Sequence, residues 1–525
     1  MYPIRKIWFV FLLLLSFKVV ADRPVNSLIL ENKAAFIPSQ CYVKTEVSGK
    51  IFNTCYTCHT NSKAPNFMND GDTQLEYGFN NYAKRNRWEN LFKDRTTEIT
   101  DITDKSIKEY VRKSNYVTGG DILLAGDLRN LPVEWDANKN GKWDGYVPDS
   151  YFNFDEHGFD RAPSGQYTGW RSFVYVPFPG VFIPAAGSVD DVLIRLPHVF
   201  QLSAAGEFHI DTYKLNLSIV ESLMKQKDVL VPEFDERNWG IDLDLNGKLN
   251  VANRIKFTAN AVDGSGMAYV GMAGDQHKNG KLKLAAGLYP VGTEFLHSVR
   301  YLDIEDGVVK MAPRMKELRY AKKIGWASVT FQEQFALAEA QERELFPEQV
   351  PVVSGNHEKG VMNGLGWRFQ GFIESASGEL RPQNYEEHVF CVGCHSAIGA
   401  LHDSTFSFAR KNNIYQQGWG SWDNIPIKLI FNELSVKNKF LDYLQGAGSI
   451  TDFTEKLLGE SYDLSLLIPG DEDVWQLNKA YKVIVNEQSF VKGRDATLLP
   501  MNNVVHRVIR DDHKTGITSV KVSTF

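Results

Sequence analysis

The chain has 525 residues, a formal net charge of −6 and 43% hydrophobic residues. This hydrophobic fraction is enough for packed cores, and the length is typical of about three domains. A nucleic-acid-binding protein should carry a basic face, and the slightly acidic balance of this chain argues against that class.

The N-terminus has the pattern of a secretory signal peptide. Arg5 and Lys6 precede an apolar run at residues 7–17, and Ala21 ends a plausible cleavage site before Asp22. The run is too short for a membrane span, which needs about 20 apolar residues. No cysteine lies at the predicted cut, which argues against a lipoprotein. We therefore expect an exported, soluble, periplasmic protein with no membrane span after signal removal.

The first chemical signal is the pentapeptide "CYTCH" in a polar segment. Cys55 and Cys58 are separated by two residues, and His59 follows directly. This spacing is the signature of covalent haem attachment, because two thiols add to the two vinyl groups of the porphyrin and the imidazole ligates the iron. A lone copy is also compatible with a redox dithiol or with half of a zinc site.

Two stretches in the middle of the chain have the spacing of calcium loops. Oxygen-bearing side chains alternate, and glycine stands at position 6, where such a loop turns sharply. The predicted ligands are Asp136, Asn138, Asn140 and Asp144 in the first loop, and Asp242, Asp244, Asn246 and Asn250 in the second. Neither loop has glutamate at position 12, so we predict weak binding, with Kd of about 0.1–1 mM.

The alternative for both stretches is a β-hairpin with an Asn-Gly turn. Residues 275–284 show the same Asn-Gly-Lys sequence, but there Lys283 takes the place of a ligand and would repel a cation. We interpret that third stretch as a plain turn. In the other two loops, calcium would pin the loop conformation of an exported protein.

A second pentapeptide, "CVGCH", repeats the first motif late in the chain, with Cys391, Cys394 and His395. A zinc site does not explain a histidine after both cysteine pairs. Disulfides within the pairs would close very short loops and stabilise little. Two copies on an exported chain with one other cysteine, Cys41, therefore favour covalent haem.

On these two motifs and the export signal, the chain resembles c-type cytochromes with two haems. The resemblance covers only the two pentapeptides and the signal peptide. It implies two haem c groups, each attached through the two thiols of one motif, with His59 and His395 as axial ligands. It also implies electron exchange with a redox partner protein or a small-molecule donor or acceptor.

The sixth ligand of each iron is left open by the sequence. Near the second motif, His388 and His402 are candidates, and Met68 and His157 follow the first motif. An iron without a sixth protein ligand would be open to a small molecule. For each of these histidines, an ordinary surface or core role is the alternative.

Patterns along the chain predict an α+β protein, with mostly helical and loop-rich haem regions around a β-containing middle region. Helical patterns occur at residues 104–115, 211–228 and 326–346. The predicted regions are a signal peptide (1–21), a first haem region (22–115), a β-rich region with both calcium loops (116–290), a second haem region (291–410) and a C-terminal region (411–525).

Two classes of function follow. In the first, the protein transfers electrons through two covalently bound haems. In the second, it is a dihaem oxidoreductase of peroxidase-like type, in which one iron is open to a small substrate. The catalytic residues of such an enzyme are not identified by the sequence, because no motif other than the two pentapeptides carries redox chemistry.

Overall fold

The structure is a computed structural model that describes residues 35–36, 45–47, 50–52, 96–175, 184, 187–258, 266–346, 353–395, 403–405, 407–408, 411–412, 416–422, 470–486, 497–498 and 520–522. The predicted signal peptide, Cys41, the first C-x-x-C-H motif and His402 lie outside these residues. Within the described part of the chain, no helix is both long and apolar enough to cross a membrane.

The described residues form strands and helices in a mixed order along the chain. The strands are β1 (Ala35–Phe36), β2 (Thr45–Val47), β3 (Lys50–Phe52), β4 (Val117–Thr118), β5 (Asp121–Ile122), β6 (Phe159–Arg161), β7 (Tyr167–Phe173), β8 (Val189–Arg195), β9 (Val229–Asp235), β10 (Val251–Ile255), β11 (Glu294–Glu305), β12 (Val308–Lys323), β13 (Ser354–Asn356), β14 (Gly360–Met362), β15 (Trp367–Glu374), β16 (Leu380–Pro382), β17 (Thr497–Leu498) and β18 (Val520–Val522). The helices are α1 (Thr96–Asp101), α2 (Asp104–Arg112), α3 (Leu123–Asp127), α4 (Ile210–Lys225), α5 (Gly271–Lys278), α6 (Val329–Leu345), α7 (Tyr385–His395) and α8 (Asp471–Asn486).

A nine-stranded antiparallel sheet is the largest feature of the described residues. Its spatial order is β13-β14-β15-β12-β11-β8-β7-β6, and β16 pairs with β15. The hairpin of β11 and β12 lies at its centre, with strands of 12 and 16 residues. Asp306 and Gly307 form the connecting turn, both with positive φ. An Asp-Gly pair suits such a two-residue turn, whose twist matches that of the two strands.

The sheet is buried on both faces. Successive residues of a strand point to opposite sides, and on β11 Phe295 packs into one core cluster while Leu296 packs into another. The first cluster includes most of the apolar face of α4, with Tyr213 and Leu217. The second includes Tyr116 from the segment before β4. Each fully buried large apolar side chain contributes about 1.5–3 kcal/mol to stability.

Three helices lie where the sequence patterns predicted them. These are α2, α4 and α6. The side chain of His209 caps α4 by accepting a hydrogen bond from the backbone N–H of Thr212, and Gln226 ends it in the left-handed conformation. The third Asn-Gly stretch differs from the predicted plain turn, because α5 runs through Asp275 and the turn begins only after Lys278.

The predicted fold class, with mostly helical and loop-rich haem regions around a β-containing middle region, is wrong. Residues 291–410 were expected to form a mostly helical haem region, but they supply six of the nine strands of the sheet, β11 to β16. The physical reason is that β11 and β15 are buried on both faces. A strand buried on both faces lacks the alternation of polar and apolar residues that marks a half-exposed strand.

Candidate haem and calcium sites

Helix α7 carries the second C-x-x-C-H motif and ends on it. Asn384 and Glu387 cap its start reciprocally: each side chain accepts a hydrogen bond from the other residue's backbone N–H, both at 2.8 Å. Arg381 pairs with the same glutamate at 2.8 Å, which holds the helix start on β16. Cys391 and His395 are four residues apart in this helix, so they share one face.

Three contacts hold His395. Its backbone carbonyl accepts a hydrogen bond from Asn363 Nδ2 at 2.7 Å, which satisfies the end of α7. Its ring Nδ1 lies 2.9 Å from the carbonyl oxygen of Ser404. Its ring stacks on Phe369 of β15, with 4.8 Å between centroids. A carbonyl oxygen only accepts, so Nδ1 carries the proton and Nε2 carries the lone pair.

His395 is therefore in the state that a metal ligand needs. Burial lowers its pKa to about 4, so the imidazole is neutral at physiological pH. Metal-ligating histidines usually donate the other ring N–H to a carbonyl or carboxylate, which fixes tautomer and ring orientation. The hydrogen bond to the Ser404 carbonyl fixes both the tautomer and the ring orientation of His395.

The surroundings of the second motif are largely apolar and aromatic. Cys391 is partly buried and packs against the first core cluster. Further aromatic rings follow Phe369. The ring centroids of Phe369 and Trp367 are 6.5 Å apart, and those of Trp367 and Tyr289 are 6.0 Å apart. A thiol, a neutral imidazole whose Nδ1 carries the proton and an aromatic wall together fit covalently held haem. The side chain of Cys394 lies outside the described residues.

His388 is excluded as a sixth ligand by its hydrogen bonds. Its Nε2 accepts from the backbone N–H of Gly371 at 2.8 Å, and its Nδ1 lies 2.8 Å from the carbonyl oxygen of Asn384. Both ring nitrogens are thus used within the fold. The other candidate named for this motif, His402, lies outside the described residues.

The second calcium-type loop is the connection between β9 and β10. Asp242 accepts backbone N–H groups from Asn246 at 3.1 Å and Gly247 at 2.7 Å, which curls the loop around its own carboxylate. Oxygens of Glu236, Asp242 and Asp244 all lie within 4.8 Å of one another. Burial, together with the charge of Glu236, raises the pKa of Asp244. A bound cation would offset this repulsion.

The first calcium-type loop has the same internal hydrogen bonds. Asp136 accepts from Asn140 at 3.2 Å and from Gly141 at 2.7 Å. Its charge balance differs, because Lys359 Nζ lies 3.3 Å from Asp144. A hydrogen bond from Asn138, and then the lysine, lower the pKa of Asp144. The charge of Lys359 already offsets part of the negative charge of the first loop. The second loop is therefore the better candidate for calcium binding.

In each of the two calcium-type loops, a buried glutamate from outside the loop accepts hydrogen bonds from two of its backbone N–H groups. Glu236 accepts from the N–H groups of Leu243 at 2.7 Å and Asn250 at 3.2 Å, which are positions 2 and 9 of the second loop. Glu358 does the same in the first loop, accepting from Ala137 at 3.1 Å and Asp144 at 2.7 Å. Both glutamates are fully buried.

Sequence reasoning missed both glutamates, for different reasons. Glu236 directly follows β9 and lies only six residues before Asp242, so a wider search of the flanking sequence would have found it. Glu358 lies in the turn between β13 and β14, 221 residues from Ala137 along the chain. Gly145 allows this close approach, since a Cβ there would lie 1.9 Å from the carbonyl oxygen of Glu358. No local pattern indicates such a contact.

Comparisons with known proteins define the family. A family model whose description reads "-like lipoprotein" matches residues 25–461. An uncharacterized lipoprotein of Aquifex aeolicus (strain VF5) is 34% identical over 408 residues, which cover 75% of this chain and 63% of that protein. The chain thus spans less than two thirds of the length of that relative. No solved structure matches. The chain belongs to this lipoprotein family.

This membership corrects the resemblance to dihaem c-type cytochromes, which is wrong as an assignment of family. The two pentapeptides that carried the resemblance are too short to define a family of chains this long. Membership agrees with the predicted signal peptide and with export. It also overrides the argument from the missing cysteine at the predicted cut, which had placed the chain outside the lipoproteins.

Proposed function

We propose that this exported member of a lipoprotein family holds haem covalently at its two C-x-x-C-H motifs and transfers electrons through them. One observation carries the proposal: the half-buried His395 is neutral, and its Nδ1 proton is already bonded to Ser404. A histidine that only filled a core would not need to follow a C-x-x-C pair. Cys391 lies on the same face of α7 as His395.

Bound haem would supply one-electron chemistry at its iron. The residues of this chain do the rest. Cys391 and Cys394 would attach the group, and His395 would ligate it through Nε2. Phe369 holds the imidazole plane by stacking on it. The surrounding core cluster excludes water, and burial of this kind is one of the means by which a protein sets a haem's reduction potential.

The direct test is the mass of the protein made in a host that attaches haem to C-x-x-C-H motifs. After denaturation, we expect the polypeptide mass plus two haems, because thioether bonds survive unfolding. The unmodified polypeptide mass would refute the proposal. A spectrum of the reduced protein with carbon monoxide then separates the two classes of function: a new band reveals an open iron, as a peroxidase-like oxidoreductase requires, and an unchanged spectrum supports electron transfer alone.

For location, we propose the periplasm, where such a protein would meet its redox partner. The family description favours a membrane anchor, whereas the sequence predicts cleavage before Asp22 and has its first cysteine at Cys41. Fractionation of cells, with the mass of the mature N-terminal peptide, distinguishes the two. A soluble protein that begins at Asp22 without lipid supports the free form, and a lipid-modified peptide in the membrane fraction refutes it.

A second proposal, of a structural cofactor, concerns calcium. The convergence of Glu236, Asp242 and Asp244 favours it in the second loop. Calcium there would pin the connection between β9 and β10 by offsetting the repulsion among three carboxylates. With calcium about tenfold above Kd, binding to the folded state alone adds about 1.4 kcal/mol to the free energy of unfolding.

We therefore expect a chelator to lower the melting temperature and millimolar calcium to restore it. Asp242→Ala should remove most of that response. Asp275→Ala is the matched control, because Asp275 is an exposed residue of α5 beside the third Asn-Gly-Lys stretch. Equal melting curves with chelator and with calcium would show that both loops are metal-free turns.

A further inference from the structure

The carbonyl that accepts the His395 proton belongs to an unusual turn. Asp403 and Ser404 both have positive φ, 52° and 58°. This left-handed conformation costs an ordinary residue about 1–2 kcal/mol. Two such residues in succession persist only where their surroundings hold them. The conformation directs the Ser404 carbonyl at Nδ1 of His395.

The side chain of Asp403 anchors this turn. Its carboxylate forms an ion pair with Lys323 at the end of β12, and both side chains are completely buried. The same carboxylate accepts the backbone N–H of Tyr289 at 2.8 Å and Gln332 Nε2 of α6 at 3.1 Å. The aspartate is therefore fixed by three separate elements of the fold, none of which is α7.

Stability alone is a weak explanation for this buried ion pair. Buried ion pairs are often no more stable than apolar replacements, because desolvating two charges offsets their attraction. Burial lowers the pKa of Lys323, and the charge of Asp403 opposes that shift. This pair also fixes a strained turn against His395. A positioning role is therefore its simplest explanation.

We infer that Lys323 and Asp403 are positioning residues, which fix the tautomer and ring orientation of His395 through the Ser404 carbonyl. Where His395 ligates haem iron, the bond from Nδ1 to that carbonyl makes the imidazole a stronger electron donor and favours the oxidised iron. The positioning of His395 is argued from the contacts alone. Only the effect on the iron rests on the proposed function.

The first arm of the test uses the full-length chain with Cys391→Ala and Cys394→Ala, which cannot attach haem at this motif. Long-range ¹H–¹⁵N spectra above pH 7 report which ring nitrogen of His395 carries the proton. We expect the Nδ1–H tautomer in this background and a mixture, or the Nε2–H tautomer, after adding Asp403→Asn. Asp403→Asn alone leaves Lys323 as an uncompensated buried charge, which destabilises the fold, so Asp403→Asn with Lys323→Gln serves as a neutral pair.

The second arm uses the chain with intact motifs. Asp403→Asn with Lys323→Gln should raise the reduction potential of one haem while the number of attached haems stays the same. Lys411→Met is the matched control, because Lys411 forms an equally buried ion pair with Glu221 of α4, which keeps Lys225 as a second partner. This control should leave the tautomer and the potential unchanged.

The outcomes separate the two levels of inference. An unchanged His395 tautomer in the Asp403→Asn and neutral-pair variants would overturn the positioning role. If the tautomer changes but no variant carries haem at this motif, the positioning role stands and the proposed function fails. If haem is attached and its potential is the same in the neutral-pair variant, the influence on the iron is refuted.

Discussion

Replacing both Cys391 and Cys394 with Ala should leave the protein with one covalently bound haem instead of two. The thioether bonds to this motif cannot form, while the fold around α7 keeps its capping box and its bond from Asn363 to the helix end. We expect the denatured variant to lose one haem mass and half of its haem absorbance. This is the largest functional effect that follows from the proposed function.

Two further variants make that result specific. Cys55→Ala with Cys58→Ala should remove the other haem, and the four substitutions together should remove both. Cys41→Ala is the control, since it should keep two haems. Retention of two haems in the Cys391 and Cys394 variant would mean that haem is attached elsewhere, and the role of the second motif would be wrong.

The second large effect is acid destabilisation through His388. Burial lowers its pKa to about 4, from an ordinary value of 6.5. In the unfolded chain the same imidazole takes up a proton below about pH 6.5, so the unfolded state binds more protons. His388 therefore leaves stability intact above pH 6.5 and reduces it progressively as the pH falls to about 4. A difference of 2.5 pKa units corresponds to about 3 kcal/mol.

The comparison of wild type with His388→Gln isolates this effect. At pH 7 the variant should be less stable, because the bonds to Gly371 and Asn384 are disturbed. As the pH falls to 4, the difference in free energy of unfolding should shrink by about 3 kcal/mol. His157→Gln, in a side chain that is half exposed, is the control. A difference that stays constant with pH would show that His388 does not cause acid sensitivity.

The sequence alone predicted the local features of this protein. The spacing in "CVGCH" and the oxygen ligands of the calcium-type loops are set by neighbours along the chain. The structure places these residues in one helix and two compact loops. The helical patterns of α2, α4 and α6 are local in the same sense, because residues three and four apart meet on one helix face. The Asp-Gly pair between β11 and β12 is also a local signal, because it is typical of a two-residue hairpin turn.

The tertiary structure decided everything that depends on distant residues. The central sheet was not predicted, because strands buried on both faces carry no alternating pattern. The clasp of Glu358 on the first loop joins residues more than 200 positions apart. The tautomer of His395 depends on the Ser404 carbonyl. That carbonyl belongs to a turn whose Asp403 forms an ion pair with Lys323. Sequence determines which chemical groups are present and how neighbours space them, whereas packing of distant segments determines which of those groups meet, how deeply they are buried and which proton each one holds.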